Sequence, residues 1–198
     1  MVTPGEETRI EKAVRVLSRD GLIVYPTETV YGLGADALSE AAVIKVYEAK
    51  QRLLGKPISV AVSDIEMIHA IADVNSFAER FITKFLPGPV TIILPVKNCL
   101  PGDLSGGTGS IGIRYPDHTL ALDLISAFDC PITATSANIS GEVSPVSVDQ
   151  VNVPHDFLLD GGILPGTPST VVNLDTRQIV RPGAMLDEIV HFFIQNTK

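Results

Sequence analysis

Apolar positions along the chain fall into alternating helical and strand patterns. Ile10, Val14 and Leu17 recur at i, i+4 and i+7, one buried helical face. Thr3-Pro4-x-Glu6 ahead of them reads as a capped helix start, and Gly21 as its stop. Residues 22–25 form a short apolar strand ended by Pro26. Ser39 caps a second predicted helix over 41–49. Residues 57–62 read as a strand. Ser63-x-x-Glu66 and Ser76-x-x-Glu79 open two further helices, the second with a Phe77, Phe81, Phe85 stripe. Strands are predicted over 90–94, 110–114, 131–134, 157–160, 170–174 and 178–180. A helix running to Phe128 follows Tyr115-Pro116-Asp117, and another spans 186–194. Residues 97–109 carry five glycines or prolines and read as a flexible loop, a candidate lid.

The polar residues worth chemical interest sit where strands end. Tyr25-Pro26-Thr27-Glu28-Thr29-Val30-Tyr31-Gly32-Leu33-Gly34 places two hydroxyls after a strand, followed by a Gly-x-Gly turn. Its glycines permit positive φ or the close approach of another group. An ordinary strand-to-loop exit would carry the same residues. Thr135-Ser136-Ala137-Asn138-Ile139-Ser140-Gly141 is a second hydroxyl and amide cluster, also compatible with a turn that satisfies its own backbone. Arg114 and Arg181 each close a strand. Lys50-Gln51-Arg52 leaves the second helix, with Lys56 just beyond. In an extended exit Lys50 and Arg52 project the same way, so three cations would converge on one loop.

Composition narrows the classes. With 15 Lys and Arg against 23 Asp and Glu, net charge is −8. No Lys or Arg occurs between Arg114 and Arg177. That disfavours a broad polyanion-binding surface and suits a local cationic pocket for a small anionic ligand. No apolar run reaches the ~18 residues of a membrane span. The polar, acidic N-terminus does not read as a signal peptide. Cys99 and Cys130 are too few and too far apart for a metal pair and read as free thiols of a reducing compartment. His69, His118, His155 and His191 are scattered and read as surface or helix residues. There is no G-x-x-x-x-G-K-[ST] loop and no nucleophile–base ordering. Cations and hydroxyls without an evident base suit phosphoryl or nucleotidyl transfer, where a protein mainly positions groups and stabilises charge.

These motifs, taken in order, resemble the YrdC-type threonylcarbamoyl-AMP synthases. The resemblance rests on residues 25–34, Lys50-x-Arg52 with Lys56-Pro57, Pro87-Gly88-Pro89-Val90-Thr91 and Ile113-Arg114-Tyr115-Pro116. It continues through residues 135–141, Ser169-Thr170-Val171-Val172 and Arg181-Pro182-Gly183. It covers about residues 8–184 and is similar to the short, TsaC-like form, so residues 1–198 are expected to form a single YrdC-like domain. It implies an α+β, three-layer fold: a twisted mixed β-sheet flanked by helices, with a concave active-site surface. The implied reaction condenses L-threonine, bicarbonate and ATP, with Mg²⁺, to threonylcarbamoyl-AMP and pyrophosphate. Downstream threonylcarbamoyl transferase machinery would then modify N6 of adenosine 37 in tRNA, in the cytoplasm and without a membrane.

By position, Lys50, Arg52, Ser136 and Asn138 match the family's paired catalytic signatures. Arg52, Lys56, Ser110, Ser136, Ser144 and Arg181 fall on the ATP side. Thr27, Thr29, Arg114 and Ser169 fall on the threonine side, with Arg114 on the carboxylate. No metal ligand from the protein is implied. Leu53 stands where the family often has proline, and many relatives carry a second C-terminal domain. A double-stranded RNA or tRNA module without catalysis is the alternative reading, and the acidic balance counts against it. A carbamoyl-adenylate former of the hydrogenase-maturation type is the other relative, but it carries zinc-finger cysteines that this sequence lacks.

Overall fold

A computed structural model describes residues 7–196. The Thr3-Pro4-x-Glu6 start lies outside them. Helix α1 (Arg9–Leu17) is instead capped by Thr8, whose hydroxyl accepts from the Glu11 amide while Glu11 accepts from the Thr8 amide. Six more helices follow: α2 (Glu40–Ala49), α3 (Ile65–Ile71), α4 (Ser76–Phe85), the single turn α5 (Gly102–Ser105), α6 (Thr119–Phe128) and α7 (Leu186–Gln195). The serine caps proposed for α3 and α4 are displaced by one residue. Asp64 and Asn75, whose oxygens accept from Met67 and from Phe77 and Ala78, take those positions.

The strands are β1 (Ile23–Tyr25), β2 (Gly32–Gly34), β3 (Ser59–Ala61), β4 (Val90–Pro95), β5 (Ser110–Arg114), β6 (Ile132–Ser136), β7 (Phe157–Leu158), β8 (Thr170–Asn173) and β9 (Gln178–Arg181). They form one mixed sheet in the order β7-β1-β2-β6-β3-β5-β4-β8-β9. The Gly-x-Gly segment is therefore a strand and not a turn. Gly32 pairs antiparallel with Tyr25, and a Cβ at Gly32 would lie 2.9 Å from the Tyr25 ring. Glycine is required there for close approach, not for positive φ.

Strand alternation builds three layers. Val24, Val60, Val90, Ile92, Ile111 and Ile113 point to one face, where α2, α3, α4 and α7 cover them. Phe77, Phe81 and Phe85 of α4 pack there against Phe192 of α7. Ile23, Tyr25, Ala61 and Ile132 point to the other face, covered by α1 and α6 through Ala13, Leu17, Ala121, Leu124 and Ile125.

The 97–109 segment is more anchored than a flexible loop. Leu104 is fully buried, its carbonyl accepts from the Ile58 amide, and Tyr47 Oη donates to Asp103 O. Its residues line a separate hollow of about 210 Å³ rather than covering the main one. No helix among the described residues is long and apolar enough to cross a membrane.

Candidate functional site

The sheet face left open beside α1 and α6 holds a cavity of about 280 Å³. Its depth comes from small side chains in the face-alternating positions: Gly32, Ser59, Ala61 and Ala134 line it. Gly112, in the same alternation as Arg114, keeps the floor low, since a Cβ there would lie 2.3 Å from Ser59 Oγ. Eight of the residues expected on sequence grounds line this cavity: Thr27, Thr29, Arg52, Arg114, Ser136, Ser144, Ser169 and Arg181. Three guanidinium groups thus share a cavity whose lining contains no carboxylate.

Local geometry orients the hydroxyls. Thr27 Oγ1 accepts from the amides of Thr29 and Val30 and donates to Val30 O at 2.7 Å. Its single proton is spent on that carbonyl, so the 2.9 Å contact between the two threonine hydroxyls is donated by Thr29. On the far side, Ser169 Oγ lies 2.8 Å from Thr91 Oγ1 and accepts from Arg181 Nη2 at 3.0 Å. Arg181 also donates to Ser169 O at 2.8 Å, which fixes its fork against the cavity wall. Gly183 permits this close packing, because a Cβ would lie 2.3 Å from Pro168 O.

Arg114, at the end of β5, is 8% exposed and pairs through Nη2 with Glu28 Oε1. Burial pulls the Arg114 pKa down, Glu28 and Tyr25 push it back up, and Arg181 lowers it again. Burial likewise lowers Arg181. Glu28 and Thr91 are site residues that sequence reasoning left without a role. Both stood inside the family motifs, and Glu28 is the one acidic residue in the Tyr25–Gly34 run, but their partners lie far away in the chain.

Four expected residues do not line the cavity. Lys50 caps α2 in helical geometry and Gln51 takes a left-handed φ of 50°, so the exit is not extended and Lys50 and Arg52 diverge. Arg52 turns back to donate to Lys56 O and Pro57 O. Lys50 is buried instead, its Nζ donating to Ser136 O at 2.5 Å and Asn138 O at 2.6 Å. Its own carbonyl accepts from the Ser140 amide. Burial first, then Arg52, lowers the Lys50 amine to about 8, while the two carbonyls favour the charged form. Asn138 is also buried, with Nδ2 donating to Ile139 O and Glu142 O. Lys56 is exposed. Ser110 opens β5 on the Arg114 side of the strand but beyond the cavity wall. The three cations therefore do not converge, and only Arg52 reaches the cavity.

Among the described residues no cluster of His, Cys, Asp and Glu could hold a metal ion. The donors present are hydroxyls, amides and guanidiniums, which together suit anionic oxygen.

Comparison with known proteins matches residues 15–183 to the Sua5, YciO and YrdC family profile, described as "Telomere recombination". A threonylcarbamoyl-AMP synthase of Pyrococcus abyssi is 38% identical over 195 residues, covering 93% of this chain and 57% of that protein. A putative threonylcarbamoyl-AMP synthase of Methanocaldococcus jannaschii is 40% identical over 185 residues, covering 89% of this chain and 86% of its own. The crystal structure of P. abyssi Sua5 complexed with L-threonine superposes with a TM-score of 0.89 at 37% identity, covering 92% of this chain and 56% of that one. The chain thus spans little more than half the length of the P. abyssi relative.

Proposed function

The chain belongs to the Sua5, YciO and YrdC family, and on that premise we propose that it is an L-threonylcarbamoyladenylate synthase. The observation that supports the reading is the convergence of Arg52, Arg114 and Arg181 with the hydroxyls of Thr29, Ser136, Ser144 and Ser169 around one cavity. Arg114 takes the threonine carboxylate, with Thr29 and Ser169 beside it. Arg52, Arg181, Ser136 and Ser144 face the triphosphate, and Lys56 and Ser110 meet it from outside the cavity wall. Mg²⁺ supplied with ATP would offset part of the triphosphate charge, beside the contribution of Arg52 and Arg181.

The amine of threonine, its ammonium proton lost to solvent, attacks the carbon of bicarbonate, and water leaves to give a carbamate, an anionic nucleophile. One carbamate oxygen attacks the α-phosphorus, the bond to the bridging oxygen breaks, and pyrophosphate leaves with that electron pair. Such a nucleophile needs no strong side-chain base. The guanidiniums offset repulsion between carbamate and triphosphate, as electrostatic preorganisation requires. Lys50 and Asn138 act here by shaping the Ser136 loop. The product passes to transferase machinery that modifies adenosine in tRNA, and the expected compartment is the cytoplasm.

The test incubates the protein with ATP, Mg²⁺, L-threonine and labelled bicarbonate. A labelled threonylcarbamoyl-AMP peak by mass spectrometry, absent without threonine, is the expected outcome. No adenylate from a folded, ATP-binding protein would discard the reading.

A further inference from the structure

Thr91 stands on β4 between the strands that bring Arg114 and Ser169 to the cavity. It pairs across the sheet with Arg114 of β5 and with Val171 of β8, two residues after Ser169. Thr91, Arg114, Ser169 and Val171 all line the cavity. Thr91 and Ser169 are each 5% exposed. The Thr91 methyl is turned to β5, where it lies 3.4 Å from the position a Cβ at Gly112 would take. Its hydroxyl is turned to β8, with Oγ1 2.8 Å from Ser169 Oγ. A β-branched side chain is stiff at χ1, so the packed methyl holds the hydroxyl in that direction.

Proton accounting gives the contact its donor. A hydroxyl carries one proton and two lone pairs. Ser169 Oγ already accepts from Arg181 Nη2 at 3.0 Å, and a hydroxyl that accepts from a cation becomes the stronger donor. Thr91 Oγ1 has no such cation, and Ser169 is its hydrogen-bond partner among the described residues. Only one of the two hydroxyls can give its proton to the other, and the remaining proton meets whatever enters the cavity. An anionic oxygen accepts more strongly than a hydroxyl does. The polarised Ser169 proton therefore goes to the ligand, and Thr91 donates to Ser169.

We propose that Thr91 is a positioning residue for the synthase reaction. By donating to Ser169 Oγ it fills the second lone pair there, beside the one that Arg181 fills, and fixes Ser169 as a donor to an anionic ligand oxygen next to Arg114. Without the Thr91 hydroxyl, Ser169 regains a free lone pair and its proton turns freely, so the ligand must order a group that the fold had already ordered. The inference deepens the reading of the cavity as a synthase site and rests on it.

The test is a double-mutant cycle of Thr91→Val and Ser169→Ala. Threonine binding is read by calorimetry, and KM for threonine and for ATP by the synthesis assay. Valine puts a methyl of similar shape in place of the hydroxyl. Thr91→Val is expected to weaken threonine binding about tenfold and to leave KM for ATP within about twofold. In the Ser169→Ala background the same change is expected to weaken binding by less than about a further twofold, because the oxygen through which Thr91 acts is already gone. Thr91→Ser restores the hydroxyl and is expected to bind threonine within about threefold of the native protein. Additive losses would make Thr91 an independent contact, and unchanged affinity in Thr91→Val would leave it no role. A KM that rises alike for threonine and ATP would make it a packing residue. Each of these results overturns the inference. If melting curves show Thr91→Val unfolded, Thr91→Ala carries the same cycle by the same criteria. Native protein that neither binds threonine nor makes adenylate refutes the synthase reading and this inference with it, whereas additive losses in an active enzyme refute Thr91 alone.

Discussion

Replacing Lys50 by methionine tests whether this buried lysine acts on substrate or on the loop that does. Methionine roughly keeps the side chain's length and apolar stem but removes the nitrogen that holds Ser136 O and Asn138 O. Losing the partner of each buried carbonyl costs ~1–3 kcal/mol, so roughly 2–6 kcal/mol for both. Removing the buried ammonium works the other way. A fall in its pKa from 10.5 to about 8 corresponds to roughly 3 kcal/mol of penalty on the charged form. The two effects largely cancel, leaving a net loss on the order of 1 kcal/mol, or ~2–4 °C in Tm at this chain length. The local consequence is larger, because the two carbonyls and the Ser140 amide tie residues 136–140 to the end of α2. Lys50→Met is therefore expected to melt within a few degrees of the native protein and to exchange its Asn138 and Ser140 amides at least tenfold faster. Adenylate synthesis should fall at least a hundredfold. Hydrogen exchange read by mass spectrometry, alongside melting curves and the mass-spectrometric synthesis assay, measures all three. Lost synthesis with native protection of those amides would refute the reasoning and make Lys50 a substrate contact.

The same lysine predicts a pH dependence. Its folded pKa lies below its unfolded value, so the unfolded chain binds more protons between about pH 8 and 10.5. The cost of the buried ammonium is fully present below about pH 8 and is relieved as pH rises through that window. The stability of the native protein relative to Lys50→Met should rise with pH there, and urea midpoints at pH 7.5 and 9.5 that move the other way would contradict it. Arg52→Ala removes a half-buried guanidinium that donates hydrogen bonds to the carbonyls of Lys56 and Pro57. It should abolish adenylate formation with Tm nearly unchanged, and an active, folded variant would remove Arg52 from the phosphate site. Gly183→Ala sets a methyl against Pro168 O and Ser169. Overpacking of this kind costs ~1–3 kcal/mol; because Ser169 and Arg181 shift with it, weakened threonine binding should accompany a lower Tm. Calorimetry showing native affinity would mean that the backbone yields elsewhere.

Local pattern determined much of this protein. Period and capping residues located most of the helices and strands, because amphipathic faces and turn chemistry are written within a few residues of one another. The motif segments placed Thr27, Thr29, Arg52, Arg114, Ser136, Ser169 and Arg181, and the fold brings them to one cavity together with Ser144, which lies outside those segments. What the tertiary structure alone decided depends on partners distant in sequence. Gly32 and Gly34 form a strand because Tyr25 lies over them, not because glycine favours a turn. Lys50 and Arg52 diverge because Gln51 turns left-handed at the end of α2, and only the position of β6 supplies the carbonyls that draw Lys50 inward. The Arg114–Glu28 pair spans 86 residues, and Thr91 meets Ser169 across 78. No local period encodes such contacts. They arise from sheet order and from which strand face each residue occupies, and these exist only once the layers have packed.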